Sequence, residues 1–150
     1  QIGRDVTLTE IDIENLIRAK GAIYSGCMTL LTEVGMSITD IEHIILAGGF
    51  GSYVDLEKAM TIGLLPEMDT DKVTFIGNGS LMGARMSSLT NRIRQDVSEV
   101  TKKMTNFELS DTSSYMDNYV AALFLPHTDM NQFPKIKSRL EARKKMTNDE

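Results

Sequence analysis

A short apolar run that stops at a cluster of glycines constrains the fold more than any other feature of this sequence. Residues 41–47 read IEHIILA, and a run of this length, rich in β-branched side chains, predicts a buried strand. The four residues that follow are Gly48, Gly49, Phe50 and Gly51. Helical spacing then extends from residue 55 to residue 64. A strand, a glycine turn and a helix in succession are typical of open α/β sheets, whose ligands bind at the carboxyl ends of the strands.

Helical and strand-like patterns alternate along the rest of the chain as well. Further helices are predicted over residues 9–34, 80–104 and 115–122, and further strands over residues 73–77 and 106–110. This alternation predicts one α/β domain with a mostly parallel sheet and flanking helices. We expect the domain to span residues 1–135, and the polar, basic residues 136–150 to form a tail or linker. Gly21 and Gly26 interrupt the first helix, which indicates close helix-to-sheet packing or a ligand against that face.

The composition limits the classes of function. The net charge is −5 and no basic face precedes the tail, which argues against sequence-independent nucleic-acid binding but leaves a nucleotide ligand open. The single cysteine, Cys27, excludes a disulfide framework and a four-cysteine metal or iron–sulfur site within this chain. His43 and His127 have no clustered partners at ligand spacing, so no metal site is predicted.

The sequence also predicts where the protein works. No apolar run approaches the roughly 20 residues that span a bilayer, and a lone cysteine is typical of a reducing compartment. We therefore expect a cytoplasmic location and no membrane partner. The chain starts at Gln1 within a polar stretch, which indicates a piece of a longer protein.

Gly48 and Gly49 are the strongest candidates for a binding site. Without a Cβ, glycine lets the chain turn with positive φ and lets a flat ligand lie directly on the main chain. A tight turn without any ligand would explain the pair equally well, and both interpretations stay open. The spacing is not that of a dinucleotide fingerprint, and no lysine followed by serine or threonine marks a phosphate-binding loop. The pattern therefore suits the adenosine end of a nucleotide better than its phosphates.

Three further polar residues are weaker candidates for ligand binding. Asn78 and Ser80 follow the second strand in IGNGS, where ligand crevices form, although capping of the next helix is the better interpretation for Ser80. Lys20 lies beside Gly21 and could reach an adenine or a ribose, although the surface is the commoner place for a lysine. No catalytic residue is assigned.

Four segments in order carry a family resemblance. They are AKGAIYSG (19–26), ILAGGFGSYVDLEKAMTIGLLPE (45–67), FIGNGSLMGA (75–84) and AALFLPH (121–127). Together they resemble the carboxy-terminal half of the reductive activators of corrinoid proteins, which are ATP-dependent iron–sulfur proteins. The resemblance covers most of the chain and implies one lobe, the second, of an actin-like, sugar-kinase-like and Hsp70-like (RNase H-like) ATPase fold.

The resemblance also implies roles for residues of the glycine turn. Gly48 and Gly49 match the adenosine-binding turn of that superfamily, with Phe50 and Gly51 beside it. The phosphate-binding hairpins, and the acid that orders metal and water for hydrolysis, belong to the other lobe of the family fold. The 150-residue chain alone is therefore expected to be a poor ATPase.

The family's task follows from the same resemblance. Its members use ATP with Mg²⁺ to reactivate corrinoid proteins of methyltransferase systems, reducing Co(II) to nucleophilic Co(I) with an electron from an iron–sulfur domain. Cys27 alone cannot hold such a cluster, so the cluster is expected elsewhere in the full-length protein. The expected partners are a corrinoid protein, the N-terminal lobe of the same polypeptide and a second copy of the chain. Two alternatives stay open: a small-molecule kinase lobe of the same superfamily, and a scaffold or dimerisation module that binds no nucleotide.

Overall fold

The computed structural model describes residues 7–49 and 51–148. Within these ranges six α-helices and two β-strands follow one another in the order α1 (Glu10–Glu33), β1 (Ile44–Leu46), α2 (Leu56–Thr61), β2 (Val73–Phe75), α3 (Gly79–Leu89), α4 (Asn91–Lys103), α5 (Ser113–Ala121) and α6 (Pro134–Asn148). Short 3-10 turns lie between several of them. The predicted α/β alternation is therefore present in the first two thirds of the chain, and the last third is helical.

The long helix α1 begins and ends at the signals that its sequence carries. The Thr9 hydroxyl accepts a hydrogen bond from the Asp12 N–H at 3.3 Å, and the Asp12 carboxylate accepts one from the Thr9 N–H at 2.9 Å. At the other end, Gly35 has a φ of +68°, and the Met36 N–H donates to the Leu31 carbonyl at 2.9 Å. These hydrogen bonds satisfy main-chain groups that the two ends of a helix leave free. The predicted helix over residues 9–34 is confirmed.

The two strands form a parallel pair. Ile44, Ile45 and Leu46 of β1 lie opposite Val73, Thr74 and Phe75 of β2. Both strands lie where they were predicted, but each contains only three residues. Both strands were predicted to be buried, and this is wrong for both, because 63% of the Ile45 surface in β1 and 40% of the Phe75 surface in β2 are exposed. Within the described residues β1 has one neighbouring strand, so no strand pairs with its other edge.

The predicted helix over residues 80–104 is divided into α3 and α4. Thr90 breaks it, with an extended backbone (φ −151°, ψ 136°) and a hydroxyl that accepts a hydrogen bond from the Arg92 N–H at 3.2 Å. Threonine in this position caps a new helix. The apolar spacing continues across the break because the two helices pack against each other, and this continuity concealed the division.

The predicted third strand over residues 106–110 is wrong. The chain turns there through a 3-10 helix over Leu109–Asp111, and the Asp111 N–H donates to the Glu108 carbonyl at 3.1 Å. A strand needs a neighbour in the sheet for its main-chain groups. In the part of the chain that the structure describes, the sheet consists of β1 and β2.

The core lies between α1, the end of α2, α5 and the first turn of α6. Its buried apolar members are Tyr24, Ala59, Met60, Leu64, Leu65, Ala122, Phe133 and Ile136. Gly21 explains how closely α1 and α5 approach, because a Cβ there would lie 3.3 Å from Leu123 and 3.4 Å from Tyr119. Close packing is thus confirmed for Gly21, although its partner is a helix and not the sheet. Helix α6 begins at Pro134 and therefore crosses the expected boundary at residue 135. Because Ile136 is buried, the first turn of α6 belongs to the core.

Candidate functional site

Two glycine turns lie side by side at the carboxyl ends of the two parallel strands. The Ile76 N–H donates to the Leu46 carbonyl at 3.0 Å, and the Gly48 N–H donates to the Gly77 carbonyl at 2.6 Å. These bonds continue the ladder beyond the strands and hold the two turns together. Gly48 has a φ of +93° and Gly77 a φ of +62°, values that L side chains rarely adopt. The chain therefore presents bare main chain at the edge of the sheet where α/β proteins bind ligands.

The surface of these turns is open. A Cβ built on Gly48, Gly49 or Gly77 would meet no atom of the described residues within 4 Å. Positive φ gives Gly48 and Gly77 a reason to be glycine, but Gly49 has no positive φ. Neither the described side chains nor a positive φ requires glycine at position 49.

The other two residues of the predicted turn differ from the glycine pair. Phe50 lies outside the described residues. Gly51 is buried, and a Cβ on it would lie 3.3 Å from the Leu46 Cβ, so its small size serves packing against β1. Beneath the turn, Gly51 and Leu46 line an apolar cavity of about 150 Å³.

Asn78 and Ser80 lie beside these two glycine turns, which are together called the crevice below: Asn78 is the N-cap of α3, and Ser80 lies in its first turn. The Asn78 Oδ1 accepts a hydrogen bond from the Leu81 N–H at 3.0 Å, so Asn78 is the N-cap of α3. The expectation that Ser80 caps this helix is wrong, because Ser80 is already its second helical residue and is exposed. Asn78 therefore fixes the direction of α3 relative to the crevice.

Lys20 has surroundings that the sequence did not indicate. Its side chain is completely buried, with 0% exposure, and its ammonium donates to the carbonyl oxygens of Phe124 and Pro126, the latter at 2.7 Å. The expectation of a surface lysine is wrong. Burial lowers the pKa of Lys20 to about 8. These contacts give Lys20 a structural role, which ties α1 to the loop that follows α5.

Gly77 is the residue that sequence reasoning missed. The sequence pattern predicts Gly77 as the last residue of a strand, although its place after β2 is the same as that of Gly48 after β1. The signal was present in IGNGS, where a glycine follows an apolar strand just as in ILAGG.

An iron–sulfur cluster does not fit the residues present. A cluster needs about four thiolates, and the chain contains one cysteine. Among residues 7–49 and 51–148, no three His, Cys, Asp or Glu side chains converge as metal ligands would. Nor does any helix in these two ranges combine the length and apolar character needed to cross a bilayer.

The chain is similar to known proteins. The family profile described as the C-terminal domain of RACo, the ASKHA domain, matches residues 1–137. The corrinoid activation enzyme RamQ of Eubacterium limosum is 34% identical over 118 residues, which are 79% of this chain and 20% of RamQ. The [Co(II) methylated amine-specific corrinoid protein] reductase of Methanosarcina barkeri is 36% identical over 119 residues, 79% of this chain and 22% of the reductase.

A solved structure is similar as well. The structure of a reductive activator for corrinoid, iron–sulfur protein matches with a TM-score of 0.79 and 47% identity, over 85% of this chain and 20% of that one. The fold and the glycine crevice thus define one lobe of an actin-like fold. More particularly, the chain belongs to the family of the C-terminal ASKHA domain of RACo. It spans about a fifth of the length of the curated relatives that it matches.

Proposed function

We propose that this chain is the adenosine-binding part of an ATP-dependent activator that reduces Co(II) corrinoid proteins of methyltransferase systems to Co(I). The observation that carries the proposal is the open main chain at Gly48 and Gly49, at the carboxyl end of β1, where a Cβ built at either position would meet no described atom within 4 Å. The names of the relatives support the corrinoid protein as the object of the reaction.

The residues of this chain would bind and orient the nucleotide. The purine lies flat on the main chain of Gly48 and Gly49, and the Gly77 turn, held by its hydrogen bond to Gly48, extends the floor of the crevice. Asn78 keeps α3 in place beside it. A nucleotide can favour one conformation of the protein only through its different affinity for the two conformations. Contacts between the purine and this floor therefore favour the closed conformation only if they become stronger when the lobes close.

The proposal also includes the metal, the electron donor and the other parts of the full-length protein. ATP binds with Mg²⁺, and its phosphates contact an N-terminal lobe of the same polypeptide. The reduction transfers one electron to cobalt from an iron–sulfur group held outside residues 1–150. Residues 1–135 form the lobe and residues 136–150 a tail or linker whose first residue, Ile136, still packs in the core of the lobe, in a cytoplasmic protein that pairs with a second copy.

Replacing Gly49 by valine in the full-length protein tests the function. The isopropyl group would occupy the open space above the turn, so we expect ATP affinity to fall at least tenfold and ATP-dependent Co(II) reduction to fall with it. Isothermal titration and the absorbance of the cobalt centre measure the two quantities. Gly83→Val is the matched control, because Gly83 in α3 also lacks a positive φ and has open space around it.

The same experiment separates the alternatives. Unchanged ATP affinity in the Gly49→Val protein, with an unchanged melting temperature, would contradict the assignment of the crevice. Wild-type protein that binds ATP but phosphorylates a small molecule, without reducing cobalt, would identify a kinase lobe. Protein that binds no nucleotide at all would identify a scaffold.

A further inference from the structure

Helix α6 leaves the core after its first turn. Ile136 in that turn is buried, whereas every residue from 138 to 147 is exposed. At 1.5 Å per residue, this exposed part is about 15 Å long. Six of the fifteen residues of α6 are Lys or Arg, and one, Glu141, is acidic. The helix thus carries a concentrated positive charge into solvent.

Basic residues near the start of α6 are used within the lobe. Lys135 forms an ion pair with Asp69 at 2.6 Å, and Arg139 donates a hydrogen bond to the Thr61 hydroxyl at 2.6 Å. Both partners lie in or just after α2 in the sequence. These contacts hold the first half of the helix to the lobe.

The basic residues in the second half of α6 have no such contacts. They are Arg143, Lys144 and Lys145, here called the basic end of α6. Across residues 7–49 and 51–148, their side chains form no hydrogen bond or ion pair. Because a helix turns by about 100° per residue, the three side chains point to different sides of α6. An anionic partner can therefore approach the basic end from several directions.

The rest of the chain has the opposite charge. The sequence contains 16 Lys and Arg and 21 Asp and Glu, of which 10 basic and 20 acidic residues lie outside α6. The basic end lies about 10–14 Å along the helix from Ile136. Charges in water are screened beyond about 8 Å at physiological ionic strength, so the acidic lobe cancels little of the field there. An acidic partner is attracted to the basic end and repelled by the rest of the chain.

Protein carboxylates suit this surface better than other anions do. Helix α6 contains no aromatic residue on which a nucleotide base could stack, and the acidic rest of the chain opposes a long nucleic acid. A helix that lies on a membrane carries an apolar face opposite its charges. After the first turn the large apolar residues of α6 are Leu140 and Met146, about 120° apart around the helix, and they form no such face.

We infer that the basic end of α6 docks an acidic surface of the corrinoid protein that the full-length protein reduces. The inference deepens the proposed function and rests on it, because that function supplies the partner. The family profile matches residues 1–137 and ends before the basic end. Two relatives are named for different corrinoid proteins, one methylated amine-specific and the other a corrinoid, iron–sulfur protein. A contact that selects one corrinoid protein suits a segment outside the shared lobe.

A short charged helix suits a transient complex. Interfaces between electron-transfer partners are small and commonly bury less than about 1,200 Å². Complementary charges in such complexes act mainly on the rate of association. An activator must also release each corrinoid protein after reducing it. The basic end should therefore lower the KM for the corrinoid protein and leave kcat unchanged.

Reversing two charges in the full-length protein tests the inference. The variant carries Lys144→Glu with Lys145→Glu, and ATP-dependent reduction is followed by cobalt absorbance against the concentration of the Co(II) corrinoid protein that the wild type reduces fastest. At about 0.05 M salt we expect kcat/KM to fall at least tenfold, with kcat within twofold of the wild type. At about 0.5 M salt, where surface charges are screened, the difference should shrink below threefold.

A second pair of lysines provides the matched control. Lys102 and Lys103 are also adjacent, exposed and in the last turn of an exposed helix, α4. Lys102→Glu with Lys103→Glu changes the net charge by the same amount, and kcat/KM should stay within twofold of the wild type. Melting temperatures and helix content by circular dichroism verify that both variants are folded.

Every other outcome overturns the inference. Unchanged kcat/KM in the α6 variant means that its basic end is only solvated. Equal losses in the two variants assign the effect to net charge, and a loss confined to kcat assigns it to structure. Binding of a single-stranded RNA 20-mer or of phosphatidylserine vesicles through Lys144 and Lys145, with reduction unaffected, identifies a different anion. Failure of the proposed function is distinct, because the wild type itself would then not reduce the corrinoid protein.

Discussion

Lys20 is held in a place where a charged amine is costly. Two carbonyl oxygens accept its hydrogen bonds, and the aromatic rings of Tyr24, His127 and Phe133 pack together nearby in the core. A neutral amine still carries two N–H groups, so both hydrogen bonds survive when Lys20 loses its proton. Burial lowers the pKa of Lys20 to about 8, and burial, with a smaller effect of the charge of Lys20, lowers the pKa of His127.

The stability of the protein should therefore depend on pH through Lys20. Its pKa falls from 10.5 when unfolded to about 8 when folded, so between these values the unfolded state binds more protons. Stability from this residue then rises with pH, by at most about 1.4 kcal/mol per unit. Urea unfolding at pH 8.0 to 9.5 should show this rise in the wild type and a flatter profile in Lys20→Met. Equal slopes in both proteins would contradict the burial argument.

Tyr24 limits the upper end of that pH range. Burial, with a smaller effect of Asp129, raises the pKa of Tyr24 to about 12 from 10.0. Above pH 10 the unfolded state releases this proton first, so stability falls as pH rises further. Lys20 and Tyr24 act with opposite sign. Burial raises the pKa of Cys27 as well, so the comparison with Lys20→Met, in which Cys27 and Tyr24 are unchanged, assigns the rise in stability to Lys20.

Gly63 should tolerate substitution far less well than Gly35. Both have positive φ, +73° and +68°, but a Cβ on Gly63 would overlap the Pro126 carbonyl, whereas one on Gly35 meets nothing within 4 Å. We expect Gly35→Ala to cost about 1–2 kcal/mol from the backbone alone. Overlap adds about 1–3 kcal/mol for Gly63→Ala. Equilibrium unfolding in urea measures both, and equal losses would show that the Pro126 loop moves aside freely.

At the scale of elements, α6 is attached to the core by a distant carboxylate. Glu67 accepts hydrogen bonds from the Lys135 N–H at 2.8 Å and the Ile136 N–H at 3.0 Å. These N–H groups belong to the first turn of α6, where a helix leaves its donors free. A negative charge is also favourable at this end of a helix. Glu67 thus acts as a cap supplied from the loop after α2.

Replacing Glu67 by alanine should loosen α6. We expect a loss of about 1 kcal/mol in unfolding free energy, the usual value of a cap, and faster exchange of the Lys135 and Ile136 amides. Glu57→Ala is the control, because Glu57 lines the same cleft and carries the same charge. A change within about 0.5 kcal/mol is expected for this control. Equal effects of the two substitutions would assign the loss to charge and not to capping.

Structural features could be predicted from the sequence where their cause lies within a few residues, and could not where it lies far along the chain. The limits of α1 follow from Thr9 and Gly35, which act within one turn, and Gly48 and Gly49 are themselves the signal for an open turn. Thr90 is also a local signal, but continuous apolar spacing concealed it. The burial of Lys20 depends on Pro126, which lies 106 residues away, and the exposure of β1 depends on which strands pair. No pattern within a few residues records either.

At the scale of the whole molecule, the chain carries the adenosine end of the proposed site and leaves the phosphates to the other lobe. If circular dichroism shows that the 150-residue chain is folded, the chain should bind adenosine and ATP with affinities within about threefold of each other. The full-length protein should prefer ATP by at least tenfold. Isothermal titration of both proteins with both ligands measures the ratio, and a strong preference for ATP in the short chain would place phosphate contacts within it.

The α3–α4 hairpin starts at the crevice and lies on the surface. Asn78 caps α3 beside the Gly77 turn. All residues of α3 and α4 lie within the described ranges, and none of them is buried. An eleven-residue helix is about 16 Å long. A tilt of about 5° at Asn78 would therefore carry Leu89 about 1.4 Å. If nucleotide binds at the glycine turns as proposed, the hairpin acts as a lever arm whose pivot lies beside the ligand. A spectroscopic label at its tip would then convert a small motion at the site into a larger distance change that can be measured.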